Sequence, residues 1–554
     1  MRLKSRLIQV AYALLPYLLL SVSLNACAQP KPDLVMLPMS DGVRLATDVY
    51  RPAGEDPSPV ILMRSTYGRG GGGVEDLLAR GYALVVQDVR GRGDSEGEAY
   101  VFNADGWRPG LTDGADTVAW IKAQPWCNGK IGTQGGSALA ITQMLLAPAT
   151  TDLLAQCLEV GPASLYHDVV YTGAVFRKCL IEGWLKAIQE PHLIDVYKAH
   201  PTYDDFWAFY NVVPKAGQVT APGLFIGGWY DIFDQGTIDA FLARERDGGE
   251  GARGRNYLVM KWSGHGPDNK ESEYRYNENR FDLKIGDLRR AFFDYHLKGD
   301  ELSLDGWRKV HYYTMGDDTT PNAPGNEWRT ADAWPPFETV PTSFYLHRDG
   351  GLETAPPASD DALSFTFDPA NPFPTLGGPN LLIPFGPFDQ RKIRAGRDDL
   401  LIFATAPFEA PIEATGRVSI MLYVSSDAPD TDFTAKLLDI YPEGDAREIN
   451  ILDGVIRVKH RDSLESAAPL LTGPEEVVRV TIDLWSTSWV FNTGHRIGLH
   501  VSSSNYPRFE VNPNTGDDFP RDGVPMRPAR NTVHMAPGYP SALVLPVRPQ
   551  TSSG

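Results

Sequence analysis

Between residues 34 and 300, short apolar runs alternate with helical patterns, and this alternation restricts the fold more than any other feature of the chain. Pro59-Val60-Ile61-Leu62-Met63 and Tyr82-Ala83-Leu84-Val85-Val86-Gln87 are continuous in apolar character. Strands of that kind are buried on both sides, which requires a parallel sheet covered by helices. Val74 to Arg80 and Thr117 to Gln124 read as two such helices. Lys130 to Gln134, Leu153 to Val160, Leu224-Phe225-Ile226 and Tyr257-Leu258-Val259-Met260 read as further strands. Residues 162–217 break the rhythm with an aromatic-rich helical stretch (including Tyr166, Tyr171, Phe176, Trp184 and Trp207), as expected of a cap over a sheet edge. After about residue 335 the period becomes two, as in Val418 to Val424 and Arg496 to Val501, with Pro, Gly and Asp turns between. Many short strands so spaced argue for a β-sandwich. The expected organisation is therefore an α/β domain over 33–161 and 218–330, a helical cap over 162–217, and an all-β domain over 336–549.

The chain has 554 residues, too many for a single core. Its formal charge of −18 argues against a nucleic-acid partner, because phosphate binding needs a basic surface. Arg2, Lys4 and Arg6 precede a mostly apolar run from Leu7 to Leu24, and Ala26, Cys27 and Ala28 follow. That layout is an export leader over residues 1–27, to be set aside from the fold. Two cleavage chemistries fit it. Leu24-Asn25-Ala26-Cys27 resembles a lipobox, which would make a lipidated Cys27 the one attachment to a membrane, in the periplasm or at the outer membrane. Ala26-x-Ala28 suits ordinary signal peptidase and a secreted product. Loss of the leader's three basic residues takes the charge to −21. In an oxidising compartment Cys127 and Cys157 form the expected disulfide, the alternative being free thiols throughout.

The candidate chemistry sits on three loops. Gly135-Gly136-Ser137 follows a short strand and precedes the helix Ala138 to Leu146. A serine at a sharp strand-to-helix turn exposes its hydroxyl, and the helix N-terminus offers N–H groups to an oxyanion. The five-residue Gly-x-Ser-x-Gly is incomplete, since Leu139 holds its last position, so an ordinary turn serine is the competing reading. A serine nucleophile needs a base, and the base an orienting carboxylate, in the order Ser, Asp, His at strand ends. Asp231 in Gly227-Gly228-Trp229-Tyr230-Asp231 and His265 in Trp262-Ser263-Gly264-His265-Gly266 satisfy order and placement. Tyr67, after the strand ending at Arg64, could donate to the same oxyanion beside the Ala138 N–H, or could be a plain core or surface tyrosine. Gly68 and Gly70 to Gly73 lack the Lys-Ser/Thr of a phosphate loop.

Several longer stretches carry a family resemblance. Asp88-Val89-Arg90-Gly91-Arg92-Gly93-Asp94-Ser95-Glu96-Gly97, Gly227 to Asp231 and Phe292-Phe293-Asp294-Tyr295-His296-Leu297-Lys298-Gly299 resemble the CocE/NonD hydrolases. So do Ser425 to Phe433 and Ser502 to Phe509 in the later half. The resemblance implies an α/β-hydrolase domain with a helical cap, followed by a jelly-roll (galactose-binding-like) domain. It implies Ser137 as nucleophile, His265 as base, Asp231 as its orienter, and the Tyr67 hydroxyl with the Ala138 N–H as oxyanion hole, with no metal or cofactor. Three departures stand out. Ala138 and Ala140 replace the family's usual Tyr and Gly, and one extra residue precedes His265. Phe233 stands where the α-amino acid ester branch carries a carboxylate, leaving Asp234 as the acid that could meet a substrate ammonium. The expectation is an exported serine hydrolase acting on a small ester or amide, or on a short peptide in the manner of X-Pro dipeptidyl-peptidases. A non-catalytic surface- or carbohydrate-binding protein is the remote alternative. The aromatic cap, with Trp229 and Trp262, favours a bulky acyl or alcohol group, core packing being the other account of the same rings.

Overall fold

The computed structural model describes residues 30–70 and 72–549; the leader and Cys27 lie outside the described residues. Ten strands form one mixed sheet: β1 (Asp33–Pro38), β2 (Arg44–Tyr50), β3 (Ser58–Ser65), β4 (Ala83–Asp88), β5 (Cys127–Gly136), β6 (Leu153–Glu159), then β9 (Gly223–Tyr230), β10 (Tyr257–Gly264), β11 (Val310–Thr314) and β12 (Glu327–Ala331). The missing numbers, β7 (Tyr171–Thr172) and β8 (Val175–Phe176), form a hairpin between β6 and β9. The spatial order is β1-β2-β4-β3-β5-β6-β9-β10-β11-β12. From β4 to β11 every pairing is parallel, and β1, β2 and β12 add antiparallel edges. The chain enters at the β1 edge, and after β3 it places β4 on one side and β5 on the other, so the order reverses at β3–β5 and β5 ends at the crevice where open α/β sheets place ligands.

The helices fall where the alternation puts them, with shifted ends. They are α1 (Val74–Ala79), α2 (Asp113–Lys122) and α3 (Ala138–Leu146), and α7 (Asp234–Asp247) and α8 (Ile285–Phe293) after the cap. Helix α2 starts four residues before the expected Thr117, at Asp113, whose carboxylate sits in an acidic first turn and accepts a bidentate pair from Nε and Nη2 of Arg90. The cap is less helical than its sequence suggests. Helices α4 (Lys178–Ala187), α5 (Leu193–Lys198) and α6 (Asp205–Ala208) are preceded by a wide turn at Leu165–Val170 and by the β7–β8 hairpin. The hairpin turns at Gly173 (φ 53°), whose backbone packs so closely on Val455 that no side chain fits. Most cap aromatics pack one another: Tyr166 lies on Tyr171 at 4.9 Å and against Trp207 at 5.6 Å, all three buried. Their role is a local core, and Trp184 is the cap aromatic that reaches the site.

The expected Cys127–Cys157 disulfide is absent. Cys127 opens β5, whereas Cys157 pairs in register with Gln134, seven residues further along the same strand. At ~3.3 Å per residue that is roughly 23 Å, against the ~4–7 Å a disulfide spans. Cys127, Cys157 and Cys179 are free, and burial pushes the Cys157 thiol up to about 11.

After Val340 the chain forms two antiparallel sheets of eight and four strands. The eight-stranded sheet centres on Ile412–Ser426, which pairs with Val478–Phe491 and Ala542–Val547. Asp432–Ile440 and Glu448–Arg457 in the other sheet are buried along their whole length, which explains why they lack clean alternation.

Where the two domains meet, His495 lies between two carboxylates. Its Nδ1 is 2.8 Å from Asp439 in the β domain, and its Nε2 is 3.4 Å from Asp317, just after β11. Burial alone would lower the imidazole pKa, but hydrogen bonds to Asp317 and Asp439 raise it to about 9. A group raised from 6.5 to about 9 stabilises fully below pH 6.5 and loses that contribution as pH rises through 9, up to roughly 3 kcal/mol. The melting temperature should therefore fall between pH 7 and 10, and His495→Gln should flatten that slope in scanning calorimetry.

Candidate active site

Three loops at the C-terminal ends of β5, β9 and β10 bring together the residues singled out from the sequence. Ser137 sits at the turn between β5 and α3 with φ 59° and ψ −124°, a left-handed conformation that lifts its hydroxyl clear of the sheet. Its N–H donates to the Glu159 carbonyl at 3.0 Å, fixing the turn against β6. Gly135 has φ 149°, and a side chain there would come within 2.5 Å of the Leu139 Cβ. The leucine in place of the motif's second glycine is thus accommodated by a residue with no side chain. The Ala140 substitution is matched similarly: it faces Gly161, where a Cβ would lie 2.8 Å from its methyl.

His265 Nε2 is 2.7 Å from Ser137 Oγ, and His265 Nδ1 is 2.7 Å from Asp231 Oδ2. An ionised carboxylate only accepts, so Nδ1 carries the proton and Nε2 is left to accept from the serine. Asp231 is fully buried, and its other oxygen accepts the Phe233 N–H at 2.7 Å. Arg177, buried beneath the loop, donates to the Ile232 carbonyl at 2.9 Å and to that of Asp168, tying the segment after Asp231 to the cap.

The extra residue before His265 is absorbed by a bulge. Lys261 pairs with Gly228 and Gly264 with Tyr230, so three steps along β10 match two along β9. The bulged backbone brings the Ser263 carbonyl so close to Gly228 that a Cβ there would lie 2.3 Å away. His265 consequently stays opposite Asp231.

These groups open into a groove of about 960 Å³. Tyr67 lines it beside Ser137 and is 55% exposed. Loss of solvation at the hydroxyl raises its pKa, partly offset by the indole N–H of Trp184, which donates to it at 3.0 Å. The Ala138 N–H is the first of α3 and has no intrahelical partner. The walls are mostly apolar: Trp184 and Ile188 from the cap, Trp262 and Phe281 from the hydrolase domain, and Leu381 and Leu382 from the β domain. Glu159 also borders the groove, its carboxyl held below the usual range: burial opposes this, but Lys261 at 3.0 Å and Arg289 at 2.8 Å outweigh it.

Three of the expected substrate-binding residues do not line this groove. Trp229 is buried against Trp334 at 5.7 Å, its indole spent on the Tyr313 carbonyl at 2.6 Å. Phe233 is buried with its ring edge-on to His265 at 5.5 Å, so it props the imidazole. Asp234 is fully buried at the start of α7, and neither carboxyl oxygen has a partner among the described residues. Trp262 alone of the four is in the wall, with its indole on Asp268 at 2.8 Å. Trp184, Leu381 and Leu382 were not singled out as site residues from the sequence, because no local pattern says that residues 47, 244 and 245 positions after Ser137 would converge on it.

Burial, together with the Asp231, Asp239 and Asp483 charges, pushes the Asp234 pKa well above its ordinary 3.8. Such a group favours the folded state below pH 3.8 and withdraws that support as pH rises and the unfolded chain ionises. Asp234→Asn should then melt higher than wild type at pH 8 and nearly alike at pH 4.

Two family models match the chain: X-Pro dipeptidyl-peptidase (S15 family) over residues 41–192 and 181–267, and the X-Pro dipeptidyl-peptidase C-terminal non-catalytic domain over 305–544. A cocaine esterase from Rhodococcus sp. (strain MB1 Bresler) is 34% identical, covering 93% of this chain and 98% of that protein. Among solved structures, an aminopeptidase from a Thaumarchaeota archaeon superposes with a TM-score of 0.79 at 24% identity, over 93% of this chain and 96% of that one. An α-amino acid ester hydrolase superposes with a TM-score of 0.77 at 24% identity, over 97% and 100%. The two structures share the fold.

Proposed function

This chain belongs to the CocE/NonD serine hydrolases of the X-Pro dipeptidyl-peptidase (S15) family, and on that footing we propose that it is an exported esterase working through Ser137, His265 and Asp231. The observation that carries the reading is the two-sided hydrogen bonding of His265, 2.7 Å to each partner. Ser137 attacks the ester carbonyl while His265 takes its proton, and Asp231 steadies the imidazolium that forms. The tetrahedral oxyanion rests on the Tyr67 hydroxyl and the Ala138 N–H. His265 then protonates the departing alkoxide, leaving an acyl-enzyme on Ser137. Water, deprotonated by the same imidazole, releases the acid and restores the serine.

An ester is favoured over an N-terminal dipeptide by the acids of the groove. A dipeptide's ammonium needs a free carboxylate, and those lining the groove, Glu159 and Asp268, are already taken by Lys261 and Arg289, and by Trp262 and Arg280. The apolar walls suit a bulky acyl or alcohol group. Export rests on the leader over residues 1–27, with Cys27 as the proposed lipidated first residue of the mature chain.

A short-chain aryl ester and a Gly-Pro anilide separate the readings. Wild type should cleave the ester and leave the anilide, and Ser137→Ala should lose roughly 10³-fold or more in kcat. Comparable anilide turnover would assign a dipeptidyl-peptidase. Undiminished ester cleavage by Ser137→Ala would remove the serine from the mechanism.

A further inference from the structure

We propose that Trp184 is a positioning residue for the oxyanion hole, its indole N–H holding the Tyr67 hydroxyl so that the phenolic proton is left for the oxyanion. This rests on the hydrolase reading above. The indole Nε1 lies 3.0 Å from the Tyr67 oxygen. Indole N–H only donates, whereas a phenol has one proton and two lone pairs, so the direction of this bond is fixed by chemistry alone. With a lone pair of Tyr67 occupied, its own proton must point elsewhere, and the groove that Tyr67 shares with Ser137 is where a substrate oxygen would meet it. Without the indole, the hydroxyl of this half-exposed ring could turn its proton to water.

The donor is itself held in place. Trp184 lies on α4 and stacks on Phe102 with ring centroids 5.8 Å apart and planes within 9°. One residue earlier, Gly183 receives Leu382 so closely that a Cβ would lie 2.2 Å from its methyl. The cap helix thus meets the β domain and the oxyanion hole within a single turn. As charge builds on the substrate oxygen, the phenolic proton is drawn toward it without leaving Tyr67. The phenol oxygen becomes a better acceptor, and the indole bond tightens with it. The two-bond chain therefore stabilises the transition state more than the bound substrate.

A double-mutant cycle on the aryl ester tests this. Trp184→Phe, which keeps a ring against Phe102, should lower kcat on the order of tenfold with KM changed less than about threefold. Tyr67→Phe should cost roughly a hundredfold or more, as loss of a direct oxyanion donor does. The double variant should match Tyr67→Phe, and Trp184→His, which retains a ring N–H, should recover part of the loss. Equal losses from Trp184→Phe with and without the Tyr67 hydroxyl, or an effect confined to KM, would make Trp184 only a wall of the groove. An unchanged kcat in Tyr67→Phe would overturn the proposal while leaving the triad intact, whereas an active Ser137→Ala would remove both. If Trp184→Phe fails to fold, Trp184→Leu, which also lacks the N–H, completes the cycle with and without the Tyr67 hydroxyl with the same expectations.

Discussion

The site depends on a single imidazole bonded on both sides. His265 joins Asp231, 34 residues earlier, to Ser137, 128 residues earlier, and both bonds are 2.7 Å. Each partner comes from the end of a different strand, so the register of three parallel strands sets the spacing. One unmatched residue in β10 would carry the histidine out of reach, and the bulge between Lys261 and Gly264 removes that error locally. The bulge in turn needs Gly228, whose missing side chain makes room for the Ser263 carbonyl. Gly135 serves Ser137 in the same way on the neighbouring loop.

The β domain matches a model described as non-catalytic, yet it is built into the site. Leu381 and Leu382 complete the groove wall, and Phe385 packs on Gly264, next to the histidine. The domain is held to the hydrolase half by buried polar contacts such as Asp317–His495–Asp439, which hold only while the donors and acceptors stay aligned. A groove assembled from cap, sheet domain and β domain changes shape if any of the three moves. The Trp184–Tyr67 bond extends the same dependence to the proposed oxyanion hole.

Residues adjacent to a motif were a poor guide to what lines the groove. Trp229 and Phe233 flank Asp231 in sequence, but strand alternation and the turn after β9 send both into the interior. Asp234 looked like an anchor for an ammonium group, yet burial without partners among the described residues pushes its pKa up and disfavours the charged carboxylate. The Cys127–Cys157 pairing failed for a related reason: both cysteines lie on neighbouring strands, but the parallel register sets them at different heights. Sequence distance and residue type carry no information on facing or register.

By itself the sequence determined the α/β half followed by the all-β half, because continuously apolar strands with intervening helices admit a parallel sheet and little else. It also determined Ser137, Asp231 and His265 as candidates, since the order of such residues at strand ends is a property of the chain. The tertiary structure alone decided which side chains surround them. Trp184, Leu381 and Leu382 reach Ser137 from segments far along the chain, and their approach depends on how the cap, the sheet domain and the β domain pack. Local propensity fixes what each segment becomes; the wall of a groove between units is fixed by the shapes those units present to one another.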